Sequence, residues 1–155
     1  MKIAAPLTFA SSLLAVVALV PSSHAQTITS LGQLPGDGYS DCIAISKNGD
    51  VVAGNSSGVN GNRGIRKKNS GPLLDLGTLP GATDTWVFGM SADGKAIVGL
   101  SLLPDREGAF RWTQGAGMID LGMLPGGTVG ASPYGASNNG AVAVGASDSA
   151  DGIHA

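Results

Sequence analysis

One phrase returns at a fixed interval and constrains this chain more than any single residue. Leu31-Gly32-Gln33-Leu34-Pro35-Gly36 recurs as Leu76-Gly77-Thr78-Leu79-Pro80-Gly81, and again as Leu121-Gly122-Met123-Leu124-Pro125-Gly126, 45 residues apart each time. A second block keeps the rhythm: Ile45 to Gly54 aligns with Met90 to Gly99 and then with Ala136 to Gly145, the last after one inserted residue. A third block is looser, with Gly108-Ala109-Phe110-Arg111-Trp112-Thr113 matched by Arg63 to Lys68 and begun again at His154-Ala155. Self-similarity at such a period is the mark of a fold assembled from stacked supersecondary units.

Each block has a physical reading. Asn48-Gly49, Asp93-Gly94 and Asn139-Gly140 are hairpin signals, and a two-residue type I′ turn is the expectation. The short apolar runs beside them, Cys42–Ser46 with Val51–Gly54 and Val87–Ser91 with Ala96–Gly99, read as buried strands. Phe110-Arg111-Trp112 alternates apolar and polar and reads as a third strand with Trp112 inward; residues 72–77 and 118–122 read as a fourth. Leu-Pro-Gly is a turn or crossover, because proline fixes φ and glycine permits reversal.

Four short strands in about 45 residues match a β-propeller blade, with a β-solenoid coil as the alternative. The expected fold is therefore all-β, in antiparallel blade-like repeats with phrases starting near residues 31, 76 and 121. The third copy stops as a strand begins, which reads as truncation by fragment or frameshift. Two full copies and part of a third are too few to close a propeller, so an exposed sheet edge or face and a tendency to self-associate are expected.

The first 25 residues differ from the rest. Lys2 precedes a mostly apolar run from Ile3 to Val20, Pro21 ends it, and Ser23-His24-Ala25 places small residues at −3 and −1 of a cut before Gln26. That is the pattern of a secretory signal peptide, expected to be helical and cleaved after Ala25. It is too short for a comfortable permanent span, and no other stretch suits one. The expected destination is secreted, extracellular or periplasmic. Residues 26–155 form the expected β-repeat domain, carrying a net charge of −3 once Lys2 is removed from a chain of net charge −2. An acidic balance implies no nucleic-acid partner. Glycine is abundant, but the 43% hydrophobic content argues against disorder. The one cysteine, Cys42, has no partner for an internal disulfide and is read as a small buried apolar residue.

Catalytic constellations are missing from the pattern. The one histidine outside the leader, His154, sits next to the end and is a poor member of any triad. One His and one Cys cannot supply a zinc site. Asp75 and Asp120 recur and are candidates for calcium or a sugar hydroxyl; the preferred reading is that they bond the turn that follows. Asp105 and Glu107 resemble a glycosidase pair only in composition and read as a solvated loop. Gly36-Asp37-Gly38 lacks the following helix of a dinucleotide site. Arg66-Lys67-Lys68 reads as a solvated edge. Trp86 and Trp112 are candidates for stacking on a sugar, with core packing preferred for Trp112. No catalytic, cofactor or metal residue is assigned, and the ligand is unknown.

The ordered blocks resemble the bacterial extracellular repeat proteins of the HAF family. The match lies in Asp75–Gly81, Phe88–Gly99 and Ala109–Trp112, and in Asp120–Gly127, Tyr134–Gly145 and His154-Ala155. The first copy departs most, with Ile65 at the place of Phe110 and Lys67 at that of Trp112. The resemblance implies an exported, repeat-built, β-rich protein and brings no functional residues with it. The function expected is a non-enzymatic, surface-associated binding or structural module. The alternatives are a lectin-like propeller completed by oligomerisation, or the N-terminal part of a larger exported enzyme or autotransporter.

Overall fold

A computed structural model describes residues 28–155; the expected signal helix over residues 1–25 lies outside them. Among the described residues the chain is all-β, in three small antiparallel sheets. The first contains β1 (Asp37–Ile45), β2 (Val51–Gly58), β3 (Gly61–Lys68) and β4 (Leu73–Asp75) in sequential order. The second repeats that order with β5 (Asp84–Met90), β6 (Ala96–Leu102), β7 (Glu107–Thr113) and β8 (Gly117–Asp120). The third holds β9 (Ala131–Ala136), β10 (Ala143–Ser149) and β11 (Gly152–His154). Among the described residues no helix is long and apolar enough to cross a membrane.

The hairpin turns differ from the type I′ expectation. Gly49, Gly94 and Gly140 have positive φ, but Asn48, Asp93 and Asn139 before them do not. Gly49 N–H instead donates to the Ser46 carbonyl at 2.9 Å, as Gly94 does to Ser91 and Gly140 to Ser137. This is the pattern of longer hairpin loops built around a type I turn. Asn or Asp is needed for its side-chain oxygen, which accepts the N–H two residues on and the hydroxyl of Ser46, Ser91 or Ser137. The same serine Oγ accepts the first N–H of the returning strand at Val51 and Ala96, and that of Val142 just before β10.

The Leu-Pro-Gly phrase closes a turn too. The N–H of Asp37, Ala82 and Gly127 donates to the carbonyl of Leu34, Leu79 and Leu124. Proline at the second place and a glycine φ of 80–88° at the third make a type II turn. A serine from the middle of the following sheet anchors each turn: Ser56, Ser101 and Ser147 accept the N–H of Leu34, Leu79 and Leu124 at 3.0–3.2 Å. Ser56 and Ser101 lie where β2 and β6 continue past the apolar runs that announce them, paired there with β3 and β7.

The sheets pack face to face, with β5 against β1, β2 and β3, and β9 against β5, β6 and β7. The main core runs from Ala53 through Leu76 and Leu79 to Val87, Ile97, Phe110 and Trp112. Trp112 points inward as its alternation requires. Hairpin turns of successive sheets are joined, Lys47 N–H to the Ala92 carbonyl at 2.8 Å and Asp93 N–H to that of Asn138 at 3.0 Å.

Two surface expectations are corrected. Cys42 is exposed, because β1 is an edge strand of its sheet and the Cys42 face is uncovered. Arg66-Lys67-Lys68 is not an edge: β3 pairs on both sides, and Arg66 lies over the Trp112 ring at 5.8 Å from its centre. Burial lowers the Arg66 pKa.

Candidate functional site

The first strand of every sheet carries a bulge at the same place. Cys42 and Ala44 pair with Gly54 and Ala53, leaving Ile43 unpaired; Phe88 and Tyr134 are left out in the same way. Opposite each bulge stands a glycine. A Cβ on Gly54, Gly99 or Gly145 would lie about 2 Å from the carbonyl oxygen of Asp41, Trp86 or Ser132. Bulges re-aim side chains, and here they turn Ile43, Phe88 and Tyr134 outward, at 46, 37 and 62% exposure. The backbone device is constant; the side chain it presents is not.

At the first seam, polar side chains close on one another. Asn55 donates to Asp41 Oδ1 at 3.1 Å and accepts the Val87 N–H at 2.8 Å. Asn62 donates to the Thr85 carbonyl at 2.6 Å. The Asn62 N–H bonds Asp84, and that bond, with the Thr83 side chain, holds the Asp84 carboxyl below its ordinary pKa.

The second seam is built otherwise. Leu100 stands where Asn55 stands, and Pro133, which has no N–H, stands where Val87 stands. Acceptor and donor are lost together, so no bond like that from Val87 to Asn55 crosses this seam. A cleft of about 500 Å³ lies there, lined by Trp86, Phe88, Leu100, Leu102 and Glu107 from the second sheet and by Ser132 and Tyr134 from the third. The Phe88 and Tyr134 rings meet at 6.2 Å between centres, tilted by 35°. Gly89 permits the approach, since a Cβ there would stand 2.8 Å from the Tyr134 carbonyl oxygen. Glu107, Ser132 and Tyr134 also line an adjoining hollow of about 250 Å³. Asp148 borders that hollow, but its carboxylate accepts the N–H groups of Val129, Gly130 and Thr128, which hold its pKa low.

A second cavity, about 530 Å³, lies by the hairpin turns and mixes Arg66, Lys68, Lys95 and Arg111 with Asp50 and Asp93. Two of its four cations bond the neighbouring sheet, and Asp93 is engaged within its own hairpin. Arg111 Nε donates to the Gly140 carbonyl at 2.7 Å and Arg66 reaches that of Gly94 at 3.5 Å. Asp93 accepts the Ser91 hydroxyl and the Lys95 N–H, which lower its pKa, and pairs with Lys95 Nζ at 3.8 Å.

The residues singled out from sequence fall into place as follows. Asp75 and Asp120 each accept the N–H of the glycine two residues on, at 2.8 Å, so they serve the turn. Asp120 also pairs with Arg106. Glu107 opens β7, whereas Asp105 stays in the preceding loop. His154 lies at the end of β11 and is exposed. Trp86 is half-buried in the aromatic cleft and Trp112 is in the core. Phe88 and Tyr134 escaped sequence reasoning; their signal was an aromatic at corresponding positions on either side of the one-residue insertion. Compared with family models, curated proteins and solved structures, the chain matches none.

Proposed function

We propose that this chain is an exported, non-enzymatic binding module made of blade-like repeats. The four-stranded, sequentially ordered sheets suit propeller blades, and the HAF-type phrases at constant period support the same family reading. The leader pattern over residues 1–25 supports secretion to the periplasm or cell exterior after cleavage at Ala25.

One observation carries the binding role. Frame positions recur with their bonds, at Ser46, Ser91 and Ser137 and at Ser56, Ser101 and Ser147. The bulge positions aimed outward change from Ile43 to Phe88 to Tyr134. A constant scaffold with varied outward residues is how loops and faces carry recognition. Probing the exported chain on a glycan array and against whole cells tests this; no partner of any class would count against it.

A second reading, a propeller completed by further copies, draws on uncovered apolar residues of the third sheet. Val144 is 62% and Ile153 78% exposed. Light scattering would give a discrete small oligomer under this reading, and a monomer or polydisperse aggregate against it.

A further inference from the structure

We infer that the cleft between the second and third sheets binds a neutral oligosaccharide, stacked on Trp86 and bordered by Phe88 and Tyr134. This rests on the binding-module reading and names its ligand class. Three of the six aromatic residues among those described meet in this one solvent-open place. Aromatic rings offer large apolar faces at small entropic cost, which suits the C–H face of a sugar ring.

The polar groups decide between ligands. Among the described residues, Trp86 Nε1, the Glu107 carboxylate, Ser132 Oγ and the Tyr134 hydroxyl make no side-chain hydrogen bond, whereas Asp41 and Asn62, which stand at the places of Trp86 and Glu107 in the first sheet, are both bonded across or along the first seam. They combine a pure donor, a pure acceptor and two groups that do both. Vicinal sugar hydroxyls need that mixture. A quaternary ammonium would use the rings and the carboxylate but leave the other three groups unanswered. No cation lines the cleft or its neighbour, and Glu107 repels acidic glycans. Glu107, Ser132 and Tyr134 line both hollows, so a ligand in the cleft has a second hollow of about 250 Å³ beside it for further sugar units.

The test is calorimetric titration of the exported chain with neutral oligosaccharides of increasing length, with choline and an acidic oligosaccharide as the competing probes. Expected are binding that strengthens with chain length and a change in Trp86 fluorescence. Trp86→Ala and Tyr134→Ala should each weaken binding at least about tenfold, while Tyr39→Ala, on the far edge strand, leaves it unchanged. Tyr134 is exposed, so its variant keeps the fold if the Trp86 variant does not, and circular dichroism checks both. No neutral oligosaccharide bound at millimolar concentration, preference for choline or the acidic sugar, or affinity unchanged in a folded Tyr134→Ala variant overturns the inference. Glycan binding untouched by that variant would still leave the broader binding role standing; the absence of any partner on the array and on cells would remove both.

Discussion

Asn55 Oδ1 accepts the Val87 N–H at 2.8 Å, tying the second strand of one sheet to the first strand of the next. The bond is buried, and 32 residues separate its partners. Asn55→Leu, which copies Leu100 into the first seam, should leave that N–H without a partner. The expected cost is about 1–3 kcal/mol, read as a lower urea midpoint at unchanged slope. Leu100→Asn in the second seam should restore nothing, because Pro133 has no N–H to give.

Gly99 stands under the Trp86 carbonyl, where a Cβ would come to 1.9 Å from the oxygen and 2.9 Å from the Phe110 ring. Both obstacles are fixed, one by the backbone and one by the core. Gly99→Ala should cost about 3 kcal/mol or leave no cooperative thermal transition. Gly115→Ala, with nothing within 4 Å, is the matched control and should stay close to the parent.

Asp93 occupies a place held by Asn48 and Asn139 in the neighbouring sheets, with the same bonds to a serine hydroxyl and to a backbone N–H. Those bonds lower its pKa in the folded protein. A depressed carboxyl stabilises above its unfolded pKa and loses that contribution as pH falls through the folded value. The window therefore lies on the acid side of the ordinary Asp pKa of about 3.9. Asp93→Asn should match the parent at neutral pH and show a shallower loss of melting temperature in acid. An equally steep acid loss would assign the sensitivity to Asp84 and Asp148 instead, whose pKa values are also lowered.

Cys42 is exposed on an edge strand. A thiol reagent should therefore label it in the native protein at a rate little changed by denaturant. Slow labelling that accelerates on unfolding would show that something covers β1.

The strands, their order along the chain and the places of their turns were legible in the sequence, but the hairpin turn type was not. Alternation, Asn/Asp-Gly and Leu-Pro-Gly are local signals that act within a few residues, and Trp112 and Asp75 behave as their neighbours dictate. Stacking was not legible. Ser56 and Ser101 lie beyond the strands read from sequence, yet both are buried, and each accepts a leucine N–H more than twenty residues away. Cys42 reads as core by residue type, and its exposure follows from which sheet face finds a neighbour. The aromatic cleft lies where a bulge shifts Phe88 and Tyr134 outward and where Leu100 and Pro133 replace an acceptor and a donor. The repeating signal lies along the chain, within reach of adjacent residues. The site lies between sheets, where burial and hydrogen bonding are decided only when distant segments pack.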